Sequence, residues 1–265
     1  MMGVLAATPI TMHEFKEYYL HNYITKAANP VKINFGGYAR TIGSSFQIKF
    51  KGKRLTITNN HVCSVMKRVI NARNNPVARK LENHLRGLGI IKDGLAKDHP
   101  LYSKITKVQK DVTNKLEELA KDVNIIGESM VIGNMNRKIK YLSENHDICI
   151  LEPLGGKYLR LASGYNIGES VMIIGHPRGL QQSISDGRLV NEMFENFPWL
   201  PKAGKVKALL STAVSYPGNS GSPVVNKFGN VVGILFAGYN LNFVNLNIVV
   251  PLDALRAELE VFVDR

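Results

Sequence analysis

Thr212-Ala213-Val214-Ser215-Tyr216-Pro217-Gly218-Asn219-Ser220-Gly221-Ser222-Pro223-Val224-Val225 is the stretch whose reading decides the fold: one serine, flanked by glycines, in a turn that leads into an apolar strand. Glycine accepts backbone conformations that are costly for other residues. A turn of this composition can therefore hold the Ser220 hydroxyl outward as a nucleophile. The amides of Gly218 and Ser220 can converge on one point, as stabilisation of a developing oxyanion requires. Turns rich in Gly, Asn and Ser also serve purely structural ends, so the motif needs partners elsewhere in the chain.

Two segments supply them. Arg54-Leu55-Thr56-Ile57-Thr58-Asn59-Asn60-His61-Val62-Cys63 alternates as a β-strand that ends on a histidine, and Asn145-His146-Asp147-Ile148-Cys149-Ile150-Leu151 sets an aspartate at the mouth of an apolar strand. A serine hydroxyl scarcely ionises at neutral pH, so it needs a base beside it; the imidazole in turn needs an anion to fix its tautomer and stabilise the imidazolium. Ser220, His61 and Asp147 provide one of each. Their order, His then Asp then Ser, is that of the chymotrypsin type and differs from the subtilisin and α/β-hydrolase orders.

On these motifs the chain resembles a chymotrypsin-fold serine protease, nearest to the HtrA (Deg) type of trypsin-like peptidase. Gly43-Ser44-Ser45-Phe46-Gln47-Ile48 is similar to that family's Gly-Ser-Gly-Phe strand, Thr58 to Val62 to its histidine motif, and His146 to Leu151 to its aspartate motif. Ile167 to Pro177 resembles its strand and Gly-x-Pro turn, Pro217 to Pro223 its nucleophile motif, and Val249-Val250-Pro251-Leu252-Asp253 its closing Pro-x-Asp. Ser222 departs from the pattern, standing where most of the family has a second glycine. No segment after residue 255 is long enough for a PDZ domain, so the resemblance implies a peptidase domain alone.

The resemblance implies two six-stranded antiparallel β-barrels with an endopeptidase site between them. His61 is then the general base and later acid, Asp147 the orienting anion, Ser220 the nucleophile, and the Gly218 and Ser220 amides the oxyanion hole. In the family the residue six before the nucleophile lies at the base of the S1 pocket; here it is Val214, which implies cleavage after small or medium apolar residues rather than after Lys or Arg. Phe236, Ala237 and Gly238 fall on the edge strand with which an extended peptide pairs.

Length and composition agree with a mainly β chain of two barrels. The 265 residues exceed what one small barrel needs, and 45% hydrophobic content suffices for a packed core. No run of 18 apolar residues occurs, so no membrane span is expected. The first residues lack the basic segment of a secretory signal. Cys63 and Cys149 are the two cysteines; they read as buried packing on strands rather than as a disulfide, which points to a reducing, cytoplasmic compartment. No Cys or His cluster has ligand spacing, so neither metal nor cofactor is expected. His146 falls on the face of its strand opposite Asp147, and both it and His176 read as structural.

The organisation follows from periodicity. Residues 1–35 form an extension with an amphipathic helix over 10–28. The first barrel occupies 36–153, with Lys51-Gly52-Lys53 as a hairpin turn. His61 and Asp147 are 86 positions apart, against about 45 in the chymotrypsin template, so the first barrel carries an insertion. Over 66–123 the period is helical: Pro76 and Gly87 bracket a short helix, and Leu101, Ile105, Val108, Val112, Leu116, Leu119 and Val123 line one face of a longer one opened by Pro100. Strands resume near 124, the second barrel spans 154–250, and 251–265 forms a closing helix.

Charge is the feature that proteolysis does not explain. The formal net charge is +13, and residues 67–110 hold eleven basic and three acidic side chains. A solvated helix face accounts for scattered charges. Capture of an acidic protein partner, a nucleic acid or a membrane surface is the functional alternative. No nucleic-acid-binding signature is present, which leaves the acidic partner as the expected one besides the polypeptide substrate. Two other functions fit the same residues: a non-catalytic protease-fold module that recruits the acidic partner, and a virus- or phage-encoded processing protease acting in the infected cell.

Overall fold

The computed structural model describes residues 22–35, 38–120, 129–143, 145–197, 204–241 and 244–265. Its strands close into two six-stranded antiparallel rings. The first contains β1 (Ala28–Phe35), β2 (Tyr38–Phe50), β3 (Lys53–Thr58), β4 (Ser129–Ile132), β5 (Met135–Leu142) and β6 (Cys149–Leu151), in the order β1-β2-β3-β6-β5-β4. The second contains β7 (Ser170–Gly175), β8 (Ser183–Asn196), β9 (Lys205–Ser211), β10 (Pro223–Asn226), β11 (Val231–Leu241) and β12 (Val244–Pro251), in the order β10-β11-β12-β9-β8-β7.

Period-two alternation builds the shared core. Phe46, Ile48 and Phe50 of β2 point inward, and together with Ile57, Ile150, Ile174, Ile234 and Val250 they form one buried cluster drawn from both rings. The polar residue between Phe46 and Ile48 is also used: Gln47 donates through Nε2 to the carbonyls of Gly155 and Lys157, and its own carbonyl accepts the Leu159 amide. Those bonds tie the connection between the rings to the first one. At the β2–β3 hairpin Lys51 and Gly52 both have positive φ (44° and 81°), the two-residue turn whose twist suits paired strands.

The insertion is helical, as the periodicity requires, but it starts earlier than expected. Strand β3 ends at Thr58, and α1 (Asn60–Asn74) begins at once, so His61 lies in the first turn of a helix and not at the end of a strand. The physical reason is a change of period. Val62, Cys63, Met66 and Val69 recur at helical spacing and bury one face of α1 in the core of the first ring, against Val31, Ile132, Ile139 and Leu151. Helix α2 (Pro76–Asp93) runs past Gly87 to a cap at Gly94. Its start is set by Asn75, whose side chain accepts the Val77 and Ala78 amides, with proline in the first turn.

Helix α3 (Pro100–Ala120) packs on α1 and α2. Of the apolar face expected for it, Ile105 and Leu116 are buried whereas Leu101 and Val108 are exposed. The part of that face beyond Ala120, most of the helix expected over 10–28, and the start of the strand expected at 124 lie outside the described residues; 22–25 are helical. The closing helix, α4 (Leu252–Val263), buries Leu252, Leu255 and Leu259. Among the described residues no helix is long and apolar enough to cross a membrane.

The cysteine expectation is overturned. Cys63 of α1 and Cys149 of β6 form a disulfide, with Cα atoms 6.5 Å apart. Each cysteine sits two residues beyond His61 or Asp147, so the contact that joins those two residues also brings the thiols together. A reducing compartment was inferred from unpaired cysteines and loses that support, because disulfides persist in oxidising surroundings. The bond closes a loop of 86 residues and restricts the unfolded chain. Replacing both cysteines with alanine is expected to lower stability by about 2–4 kcal/mol. Denaturant unfolding of the double variant and the parent checks this, and coincident midpoints would contradict it.

Candidate active site

Two consecutive asparagines draw the aspartate loop onto the start of α1. Asn59, fully buried, donates from Nδ2 to the Asp147 carbonyl (2.9 Å), and Asn60 donates likewise to the Ser143 carbonyl (2.7 Å). Asp147 is thereby fixed with its side chain 1% exposed. Its Oδ1 accepts the His61 backbone amide at 2.8 Å, and its Oδ2 lies 2.5 Å from His61 Nδ1. An ionised carboxylate can only accept, so this pairing puts the ring proton on Nδ1 and leaves the Nε2 lone pair free. The imidazole is 39% exposed, which opens its far edge to a substrate.

The serine turn is held by the first ring and by the loop after β7. Ser44 of β2 donates its amide to the Ser220 carbonyl (2.7 Å) and its hydroxyl to the Gly218 carbonyl (2.9 Å), while that hydroxyl accepts the His176 amide (2.9 Å). The Arg178 amide donates to the Pro217 carbonyl at 2.7 Å, which turns the N–H of the same peptide, that of Gly218, the other way. Within the turn, the Asn219, Gly221 and Ser222 amides donate to Tyr216, Leu235 and Asn219 carbonyls. Among the described residues the Gly218 and Ser220 amides have no acceptor. Gly218 has φ of 100°, and a Cβ there would stand 2.7 Å from the His176 carbonyl oxygen, so the conformation and the close packing both require glycine.

Gly43 sets the spacing between the base and the nucleophile. A Cβ at this position would lie 2.9 Å from both Val62 methyl groups and 3.0 Å from the Ser220 carbonyl oxygen. Strand β2 thus passes between the residue after His61 and the residue bearing the hydroxyl. Among the described residues no hydrogen bond joins Ser220 Oγ to His61, and the approach of the two segments rests on this packing.

A cleft of about 230 Å³ adjoins Ser220, lined by Ser215, Tyr216, Pro217, Leu235, Ala237 and Gly238. Val214, expected at its base, is 56% exposed and does not line it. Ser215, the next residue, faces the cleft instead and is backed by buried Asn247, whose side chain accepts the Ser215 hydroxyl and donates to the Ala213 carbonyl. Phe236 lies on the strand expected for it, with its side chain turned away from the cleft. It is buried, with its ring edge-on to Phe197 at 5.0 Å, while Leu235 and Ala237 on either side of it line the cleft. Ala237 and Gly238 pair with β12 on one side. Strand β10 pairs with β11 only as far as Ile234, so the opposite edge beyond Leu235 has no strand partner among the described residues.

Asn59, Asn60, Ser44, Gly43 and Asn247 were not singled out from sequence. The asparagines lie within the histidine motif but read as strand residues, and Asn247 carried one usable signal, a polar residue within an apolar strand. Among the described residues no group of three metal-ligating side chains exists. His176 is 9% exposed, and burial pushes its imidazole below the ordinary range, so it stays neutral at neutral pH.

Two antiparallel barrels, with a His–Asp pair in the first and a glycine-flanked serine turn in the second, define the serine-protease class of chymotrypsin fold. The sequence comparison agrees: the chain belongs to the trypsin-like peptidase domain family, whose model matches residues 43–234, a span that includes His61, Asp147 and Ser220. In three dimensions it is similar to the Rv3671c protease of M. tuberculosis. The active form of that protein superposes with a TM-score of 0.57 at 13% identity, covering 98% of this chain and 93% of the other. Its inactive form gives 0.55 at 14% identity, with 98% and 99% covered. At such identity the likeness concerns the fold.

Proposed function

We propose that the chain is a serine endopeptidase working through His61, Asp147 and Ser220. The observation that carries this reading is the coincidence of two features: a buried carboxylate hydrogen-bonded to His61 Nδ1, and a serine turn in which Gly218 and Ser220 hold the uncommitted amides. His61 Nε2 takes the Ser220 hydroxyl proton as Oγ attacks the substrate carbonyl. The Gly218 and Ser220 amides receive the oxyanion, and His61 returns the proton to the leaving amine. Water then attacks the acyl-enzyme by the reverse sequence, which restores the hydroxyl. A non-catalytic module would have no use for either feature. The test is reaction with a serine-reactive phosphonate, followed by mass spectrometry of the labelled peptide; modification at Ser220 supports the assignment, and modification elsewhere or none contradicts it.

The cleft bears on specificity. Its walls are largely apolar, and none of its lining residues is acidic, so a buried Lys or Arg side chain would lack a counter-ion. Cleavage is expected after small or medium apolar residues such as Val, Ala or Leu. Sequencing the products of a mixed peptide library checks this, and a predominance of Lys or Arg before the cut would contradict it.

The helical insertion is assigned to partner capture. Arg79, Lys80 and Arg86 on α2, and Lys104, Lys107 and Lys110 on α3, are exposed, a surface suited to an acidic protein. Exposed charges act through screened long-range fields and affect encounter more than turnover. Changing Lys104, Lys107 and Lys110 to Glu is expected to weaken capture of an acidic protein substrate at low salt while leaving hydrolysis of a short neutral peptide unchanged. A folded variant that cleaves the short peptide much more slowly would place the insertion in the chemistry instead.

A further inference from the structure

The loop that carries Asp147 is tethered from two directions. On one side Asn59 and Asn60 hold it to the first turn of α1. On the other, His146 reaches the closing helix: its Nδ1 lies 2.7 Å from Glu258 Oε1, and Glu258 Oε2 accepts the Tyr141 hydroxyl at 2.6 Å. Residues 145–147 form a bend in which Asp147 turns to His61 while His146 turns to α4. Within the loop the Ser143 hydroxyl accepts the Asn145 and His146 amides, and the His146 carbonyl accepts the Ile148 amide.

Glu258 is 4% exposed and sits on a helix anchored in the shared core by Leu255 and Leu259. Burial works to raise its carboxyl, but hydrogen bonds from His146, Tyr141 and Ser143 outweigh that and hold it below the usual carboxylate range. The carboxylate is therefore charged at neutral pH and committed at both oxygens. Packing secures Tyr141 further, with Phe262 of α4 at 5.9 Å and the Arg265 guanidinium over its ring at 5.1 Å. A buried carboxylate hydrogen-bonded at both oxygens is costly to leave half-satisfied.

We infer that Glu258, acting through His146, is a positioning residue for Asp147, so that the closing helix holds the orienting anion in register with His61. This rests on the proposed His61–Asp147–Ser220 chemistry. Neither residue touches substrate or the reacting atoms. Their effect passes through the backbone of residues 146 and 147: without the tether the loop keeps its fold on the Asn59 and Asn60 side but loses the constraint that sets the carboxylate plane against Nδ1. Small misplacement of a catalytic group has large kinetic consequences.

The test uses Glu258→Gln, His146→Asn and the double variant in the full chain. The maximal rate of phosphonate labelling at Ser220 is expected to fall about 10- to 100-fold in each single variant, with the half-saturating phosphonate concentration unchanged. The double variant should be no slower than the slower single one, because both changes break one connection. In parallel, the low-field proton resonance of the His61–Asp147 hydrogen bond should broaden or move in every variant. Parent-like labelling and an unmoved resonance in folded variants would overturn the inference, as would losses that multiply in the double variant. If Glu258→Gln fails to fold, His146→Asn carries the test, since that side chain is 24% exposed. If the parent itself is not labelled, the proposed function fails, whereas the resonance still reports on the tether.

Discussion

Changing Ser220 to alanine is expected to abolish peptide-bond hydrolysis while leaving the fold intact. The hydroxyl is the reacting group in the proposed mechanism, and among the described residues it makes no hydrogen bond that the fold needs. The backbone of the residue does make one, its carbonyl accepting the Ser44 amide, and alanine keeps that bond. Loss of the nucleophile leaves only binding and the oxyanion amides, so turnover should drop by about 10³- to 10⁶-fold, as in other enzymes of this triad type. Hydrolysis of an unstructured test protein, read beside the unfolding midpoint, checks both halves of the statement. A Ser220→Ala protein that cleaves as fast as the parent would remove Ser220 from the chemistry.

The second large effect is expected at Asp147. Asn is nearly the same size, so Asp147→Asn should fold, but it replaces an acceptor-only group with one that both accepts and donates. The side chain faces two donors, the His61 amide and Nδ1–H. If its amide nitrogen turns toward Nδ1, the imidazole must accept there and carry its proton on Nε2, where it can no longer remove the Ser220 proton. The buried position also leaves the imidazolium formed during attack without its counter-charge. The corresponding change in a well-studied serine protease costs about 10⁴ in turnover, and a loss of that order is expected here at neutral pH. Steady-state hydrolysis of a short peptide measures it; a variant within about tenfold of the parent, against that 10⁴, would show that Asp147 is not the orienting anion.

Much of the fold was legible because it is written in local period. The Phe46-Gln47-Ile48-Lys49-Phe50 alternation marks a strand with one face inward, the Lys51-Gly52 pair marks its hairpin, and the Pro100 and Pro251 starts mark helices that the structure contains at those positions. These signals need only neighbouring residues. The boundary at His61 was misread because Thr56-Ile57-Thr58 and Val62-Cys63 are all β-branched or apolar. Only burial of the Val62, Cys63, Met66 and Val69 face inside the first ring decides that the second group is helical.

The cleft beside Ser220 was less legible. Counting back from Ser220 reaches Val214, but which of Val214 and Ser215 faces the cleft depends on backbone direction in a segment with no regular period. The Ser215–Asn247 and Asn247–Ala213 hydrogen bonds decide it, and they join residues 32 and 34 positions apart in sequence. Phe236 turns inward with Ile234 while its neighbours Leu235 and Ala237 line the cleft, the alternation of a strand; which face meets the cleft is set by the closed ring and not by the local sequence.

By itself the sequence determined the class: the ordered His61, Asp147 and Ser220 motifs, the glycine-flanked turn and the helical insertion each depend on residue types and short spacings that survive any uncertainty about packing. Only the tertiary structure decided how those parts meet. It joined Cys63 to Cys149, slid the side-chain-free Gly43 between Val62 and Ser220, and set Glu258 behind His146. These contacts link positions 86, 177 and 112 residues apart, and no local pattern encodes them, because a pair distant in sequence becomes a contact only when the closed rings and the closing helix have fixed where each chain segment lies.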